Sequence, residues 1–260
     1  MSWIEALILG LLQGLTEFLP VSSSGHLELG KVALNIEAEE SLTFSIIVHA
    51  ATVLSIIVVF FKDLREMLSG LLKLQWNEST IYSAKILVSI IPVGIVGIFF
   101  MSEVESVYDG NIVFVGSMLL VTASLLLLTY LAKSRDKDVT YRDAFIIGLA
   151  QAFAVLPGIS RSGATIATGL FLGVRKDLVT RFSFLMVLIP IIGATFFDII
   201  RTVEPDVITV GFIPLFVGFV AAFLSGLFAC RVMLEVVKRG KLIYFAIYCI
   251  FVATIAIFLG

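Results

Sequence analysis

Gln13-Gly14-Leu15-Thr16-Glu17-Phe18-Leu19-Pro20-Val21-Ser22-Ser23-Ser24-Gly25-His26 is the stretch whose reading decides the fold. It lies inside an apolar run, 2–34, and breaks that run at its centre with Pro, three Ser and Gly. Proline removes a backbone donor and disfavours the helical conformation in the residue before it, while Ser favours the start of a new helix. Each half of the run then has only about 12 to 18 residues, short against the roughly 20 needed to cross a bilayer comfortably. A helical hairpin that enters the membrane and returns is therefore expected over 2–34. A second break, Pro157-Gly158-Ile159-Ser160-Arg161-Ser162-Gly163, interrupts 143–174 in the same way.

The rest of the chain agrees with a membrane setting. Of 260 residues, 59% are hydrophobic and only 15% charged, where roughly 25% charged is usual for soluble domains. Mean hydropathy is +1.09. A water-soluble globule cannot hide that much apolar surface, because its volume is limited relative to its exterior. Six further stretches, 42–61, 81–101, 112–131, 178–200, 207–230 and 242–259, are long and apolar enough to span. Asp198 and Lys85 lie near span ends, where they reach the interface. The expected fold is thus an all-α polytopic membrane protein with six transmembrane helices and two re-entrant helical hairpins, a single integral membrane domain over 1–260. The first apolar run lacks a basic leader and continues into a Gln- and Glu-bearing segment, so it does not read as a cleaved signal peptide. A net charge of −2 supplies no polybasic field for nucleic acid. Cys230 and Cys249 are too few for a disulfide framework or a zinc site.

Basic residues orient the chain. The segments 62–80, 132–143, 174–181 and 231–241 hold 14 of the 18 Lys and Arg. Alternate threading puts all four on one side, which the positive-inside rule makes cytoplasmic. The opposite side receives Lys31 and Arg201 with Glu37, Glu39, Glu40, Glu103, Glu105, Asp109, Glu204 and Asp206. Both termini are then outside, and the two hairpins enter from opposite faces. Trp3 and Trp76 read as interfacial anchors. Asn77-Glu78-Ser79 fits a glycosylation pattern, but this threading places it inside.

The chain also resembles itself. Ile8-Leu9-Gly10-Leu11-Leu12-Gln13 matches Ile146-Ile147-Gly148-Leu149-Ala150-Gln151 at an offset of 138 residues. The offset slips by one at Leu19-Pro20 against Leu156-Pro157, and recovers at Ser22-Ser23-Ser24-Gly25 against Ser160-Arg161-Ser162-Gly163 and at Phe44-Ser45 against Phe182-Ser183. Three spans separate the copies, so repeat 1 (about 1–131) and repeat 2 (about 139–260) form an inverted-topology repeat, which commonly builds a site near the bilayer midplane.

Ionisable groups inside a membrane are functional candidates by default. Gln13 and Glu17 share one helix face at i and i+4, with His26 just past the break and Arg161 in the second one. Ser22, Ser23, Ser24, Ser160 and Ser162 accompany them. A shared anion accounts for this company. Arg161 can fork onto two phosphate oxygens, helix N-termini after the breaks favour negative charge, and Gly25 and Gly163 permit close backbone approach. Glu17 beside a phosphate calls for a hard cation between them, with Gln13 as a carbonyl ligand. His26 is then free to act as general base or to activate Ser23 as nucleophile. The bland alternative is a helix-packing patch in which Glu17 simply pairs with Arg161. Thr165 is either a further phosphate contact or a hydroxyl bonded back to its own helix. Glu28 lines the pocket mouth or faces water, and His49 reads as a packed interior His.

These residues resemble a known family. The run from Gln13 to His26 is similar to the first signature of the undecaprenyl-diphosphate phosphatases, the bacitracin-resistance family, and Pro157 to Thr165 is similar to the second. The resemblance covers the whole chain. It implies hydrolysis of a C55 isoprenyl diphosphate to the monophosphate and inorganic phosphate, recycling a lipid carrier for cell-envelope glycan synthesis and conferring bacitracin resistance. It implies dependence on Mg2+ or Ca2+ and a pocket at the outer face of the plasma membrane. The family's Glu/Gln-x-x-x-Glu element falls on Gln13 and Glu17, its Ser and His on Ser23 and His26, and its Arg on Arg161. Membrane lipids are expected partners, nucleic acid is not, and a homodimer is left open. The rival reading is a polyprenyl-phosphate flippase or transporter using the same inverted-repeat site.

Overall fold

The computed structural model describes residues 1–36, 38–73, 76–106, 111–132, 136–202 and 210–259. Among these residues the chain is all helix and turn, with one isolated bridge between Lys137 and Val174. In chain order the helices are α1 (Trp3–Phe18), α2 (Ser23–Leu34), α3 (Ala38–Val59), α4 (Phe61–Leu72), α5 (Glu78–Phe99), α6 (Met101–Ser106), α7 (Ile112–Leu128), α8 (Tyr141–Phe153), α9 (Arg161–Phe171), α10 (Lys176–Met186), α11 (Leu188–Thr202), α12 (Phe212–Lys238) and α13 (Ile243–Leu259). A short 3-10 turn, Thr129–Leu131, extends α7.

Both interrupted regions fold as helix, break, helix: α1 with α2, and α8 with α9. Among the described residues four segments are long and apolar enough to cross a membrane: Glu78–Phe99, Ile112–Leu131, Lys176–Phe197 and Phe212–Lys238. A fifth is counted if Thr43–Val59 and Phe61–Leu72, bent by 77° at Phe60, make one span. That bend falls where the apolar run gives out at Lys62-Asp63. The expected span 242–259 is α13, at 17 residues somewhat short of a full crossing. The expected span 178–200 is divided at Val187, since Pro190 has no N–H for the Met186 carbonyl. The expected span 207–230 is displaced: its first residues lie outside the described ones, and α12 runs on from Phe212 to Lys238. Nothing stops that helix until Gly240, whose φ of +69° closes it as a Schellman motif, with Gly240 N–H donating to the Val237 carbonyl and Lys241 N–H to the Val236 carbonyl.

Packing interlocks the two halves of the chain. α1 lies chiefly against α12, α8 against α5, and α7 against α13, while α3 also packs on α12. The main core draws on both halves, with Phe18, Ile56 and Phe60 beside Ile147, Ile166, Phe182 and Phe184. Outward, large apolar side chains are bare: Leu72, Ile98, Phe212, Phe251 and Phe258 are each more than 60% exposed. That exterior suits lipid, not water. Trp3 and Trp76 are likewise exposed.

The four basic segments gather at one end. Arg181 bridges to Asp63 at 3.1 Å, Arg175 N–H donates to the Lys137 carbonyl at 3.1 Å, and the Lys176 ammonium lies against Gly240. Of the acidic residues expected at the other end, Glu37, Asp109, Glu204 and Asp206 lie outside the described residues. Asn77 caps α5, accepting from Thr80 N–H at 2.9 Å. Glu28 pairs with Lys31 at 2.9 Å.

Candidate active site

The two breaks meet. A methyl group on Gly163 would stand 3.3 Å from Pro20 Cβ, and one on Gly25 would stand 3.3 Å from Gly158 Cα. Either methyl would press its neighbours by a few tenths of an ångström, so glycine eases both approaches. Ser162 Oγ donates across the junction to the Leu19 carbonyl at 3.2 Å.

At each break a serine starts the second helix. Ser22 Oγ accepts from Gly25 N–H at 3.3 Å and lies 3.3 Å from Ser24 Oγ. Ser160 Oγ accepts from Gly163 N–H at 3.1 Å and lies 3.3 Å from Ser162 Oγ. These caps satisfy one orphan donor per helix, so Gly25 and Gly163 contribute close approach and not free N–H groups.

Three of the candidate residues converge on the carboxylate of a fourth, Glu17. Glu17 Oε2 accepts from Gln13 Nε2 at 3.0 Å and from Ser23 Oγ at 2.6 Å. Glu17 Oε1 takes the Arg161 guanidinium through Nη2. Gln13 and Glu17 are buried, whereas Ser23, Ser24 and Arg161 are only partly covered and form the accessible rim. Thus the pairing of Glu17 with Arg161 that a mere packing patch would make is present. It leaves two atoms unexplained, however: Gln13 Oε1, an acceptor, and Arg161 Nη1, a donor, are both buried with no hydrogen-bond partner. Buried polar groups are ordinarily satisfied, so each has hydrogen-bonding capacity left for water or a ligand. An acceptor and a donor flanking one ion pair suit a cation and an anion bound side by side.

His26 stands apart from this cluster. Its Nδ1 is 2.8 Å from the Ser22 carbonyl, and its Nε2 is 2.9 Å from the Tyr248 hydroxyl of α13. Thr165 turns its hydroxyl toward the Arg161 carbonyl, 2.8 Å, and Ser183 Oγ, 2.6 Å, bracing the helical turn that carries Arg161. His49 is bound through Nδ1 to the Ser45 carbonyl at 2.7 Å and lies within electrostatic reach of Glu17.

Two supporting residues escape a reading of the sequence. Tyr248 is one. Thr122 on α7 is the other: its hydroxyl donates to the Gly158 carbonyl at 3.0 Å and accepts from Ser160 N–H at 2.9 Å. Both sit within apolar spans with no spacing signal, and only the tertiary packing brings them to a break.

For a divalent cation, the oxygen donors at hand are Gln13 Oε1 and the Glu17 carboxylate. Among the described residues no group of three or more His, Cys, Asp or Glu forms a ready metal cage. One carboxylate with one carbonyl fits a hard cation whose shell is completed by substrate phosphate and water, the usual pattern for Mg2+.

A membrane chain, helical throughout its described residues, in which two helix breaks meet around a buried acid–Arg pair, is the class of molecule so defined. The family model described as Bacitracin resistance protein BacA matches residues 6–255, and the chain belongs to that family. It is 54% identical to an undecaprenyl-diphosphatase of Bacteroides fragilis over 99% of this chain and 98% of that protein. It is 55% identical to one of Parabacteroides distasonis (96% and 95% covered) and 41% identical to one of Salinibacter ruber (both chains covered in full).

Proposed function

We propose that the chain hydrolyses undecaprenyl diphosphate to undecaprenyl phosphate and inorganic phosphate at the cleft where the two hairpins meet. Membership of the family supports the reaction, and the unpartnered Gln13 Oε1 and Arg161 Nη1 on either side of Glu17 carry its placement. The substrate explains the setting. Each buried CH2 of a lipid chain contributes about 0.8 kcal/mol of membrane affinity, so a C55 tail keeps substrate and product in the bilayer and the catalyst must meet the head group there.

Arg161 holds the diphosphate through the half of its fork that Glu17 leaves free. Gln13 and Glu17 would hold Mg2+ or Ca2+, which would neutralise charge on the diphosphate. The hydroxyls of Ser23 and Ser24, at the rim, and of Ser22, Ser160 and Ser162 behind them keep the breaks in register around the head group. His26 takes the proton from the attacking oxygen as the P–O–P anhydride bond opens, and the departing lipid phosphate carries away the negative charge. Positioning and charge stabilisation supply most of the acceleration in such a transfer.

The fold reading goes with the site. Matched hairpins in two interlocked halves support six spans and two re-entrant hairpins arranged as an inverted repeat, with α13 as the short sixth span. The cluster of basic segments at one end supports a cytoplasmic assignment for that end and a cleft that opens outward.

Phosphate release from undecaprenyl diphosphate by the purified protein tests this directly. Release that stops in EDTA and returns with Mg2+ or Ca2+ is expected. Absence of release under either cation would overturn the assignment.

A further inference from the structure

His26 is held by two contacts whose chemistry fixes its protonation pattern. The Ser22 carbonyl can only accept, so Nδ1, 2.8 Å away, carries the imidazole proton. Nε2 of the neutral ring is therefore a bare acceptor, and the hydroxyl 2.9 Å from it must be the donor, Tyr248 O–H. The rings lie nearly parallel, 11° apart with centroids 5.5 Å apart, so the phenol also sets the plane of the imidazole. The next residue, Cys249, makes a weak thiol contact to the Pro20 carbonyl at 3.8 Å, which pins this turn of α13 to the first break. Tyr248 is not packed on its outer side. It is 42% exposed, and Tyr244 and Phe251, one turn away on the same face, are 63% and 64% exposed.

From this geometry we infer that Tyr248 is a positioning residue for His26: it keeps the lone pair on Nε2, orients the ring, and covers that nitrogen until the head group arrives. One nitrogen lone pair serves one donor, so Nε2 can act as base only after the phenol turns aside. The open outer face of Tyr248 leaves room for that movement toward lipid. Substrate entry and exposure of the base are then a single event, which restrains the base while the cleft is empty.

The inference rests on the assignment of His26 as the base, and three variants separate the two. Tyr248→Phe keeps the stacked ring and removes only the donor; kcat should fall about three- to tenfold, because the imidazole then enters the reaction without the contact that sets its tautomer and orientation, with KM for undecaprenyl diphosphate unchanged. Tyr248→Ala should lower kcat further. In protein labelled with 15N-histidine, the His26 resonances should show a protonated Nδ1 and a bare, hydrogen-bonded Nε2, and Tyr248→Phe should move Nε2 to the position of an unbonded nitrogen. Nε2 found protonated at neutral pH, or a Tyr248→Phe protein with unchanged or raised kcat, overturns the inference. His26→Ala tells the failures apart: an active His26→Ala protein removes the base itself, whereas an inactive one beside an unaltered Tyr248→Phe protein removes only the role of Tyr248.

Discussion

The first and second hairpins use one backbone design for opposite electrostatic ends. Each opens with a capping box, Ser2 with Glu5 in α1 and Thr140 with Asp143 in α8, again 138 residues apart. Each starts its second helix with a Ser cap on a Gly N–H. Each break is braced by a helix from the other half, the first by α13 through Tyr248 and Cys249, the second by α7 through Thr122. The side chains then diverge at matched positions: Ser23 faces Arg161, His26 corresponds to Ala164, and Leu27 to Thr165. Glu17 has no acidic counterpart between Ala152 and Leu156. One hairpin carries the carboxylate and the imidazole, the other the fixed cation. The proposed site follows the same division, with the cation donors on one side of the head group and the guanidinium on the other.

Breaking the asymmetry at Arg161 should have the largest effect. Arg161→Ala removes the one fixed positive charge of the second break and leaves Glu17 unpaired. Phosphate release should fall by about 10³ or more, the range seen when a charge clamp on a transferred phosphoryl group is lost. Stranding a buried carboxylate is also destabilising, by roughly 3–5 kcal/mol. Thermal unfolding in detergent should therefore accompany the assay, and Arg161→Lys, which keeps charge but not the fork, should recover folding better than turnover. Near-normal release from Arg161→Ala would take the second hairpin out of the chemistry.

On the opposite hairpin, Glu17→Gln should abolish the response to Mg2+ or Ca2+ and lower release by about 10² or more, because the only carboxylate among the cation donors is gone. Gln13→Ala should be milder and raise the cation concentration for half-maximal release by about tenfold, as expected for one lost ligand. Release from Glu17→Gln that titrates with cation as before would place the cation elsewhere.

Gln13 and its repeat-mate Gln151 sharpen the contrast. Gln13 Nε2 is bound to Glu17, but Gln151 is buried with both amide atoms unpartnered. Replacing an unsatisfied amide by an apolar side chain of similar size removes its desolvation penalty. Gln151→Leu should raise stability by about 1–3 kcal/mol and leave release intact, whereas Gln13→Leu should lose activity. Loss of release in Gln151→Leu would instead bring the mirror glutamine into the head-group site.

Much of this was legible in the sequence, for identifiable reasons. Pro, Ser and Gly at a break act locally, so the two helix breaks, after Phe18 and after Phe153, were readable from residue type. Gln13 and Glu17 share a helix face by spacing alone. The ends of the spans were not readable in the same way. α12 outruns its apolar stretch because Glu235 and Arg239 extend the helix as an i,i+4 pair at 2.8 Å, and hydropathy cannot see a helix that continues into water. The partner of His26 was hidden for another reason. It lies 222 residues away in a predominantly apolar span, and only the packing of α13 brings it near. Sequence spacing likewise placed Ser23 and Arg161 at equivalent positions and raised a Glu17–Arg161 pair only as the packing alternative, without revealing that Ser23 would bind the same carboxylate.

The smallest expected effect comes from the caps, where the hairpins differ by one residue. The second break has an extra residue between Pro157 and Ser160, and the strained conformation moves with it. In the first break Ser22 itself takes φ +70°, while in the second Gly158 takes φ +91° and Ser160 has an ordinary φ of −73°. A non-glycine residue at such positive φ stores about 1–3 kcal/mol, and exchanging a Ser cap for Gly loses only a few tenths. Ser22→Gly should therefore stabilise the protein by about 1 kcal/mol, strain relief outweighing the lost cap. Ser160→Gly has no strain to relieve, so the lost cap and the added chain entropy should destabilise it by about 0.5–1 kcal/mol. Thermal unfolding of the two variants in the same detergent reads the difference in sign. If both move the same way, the left-handed turn at Ser22 does not store enough strain to outweigh the lost cap.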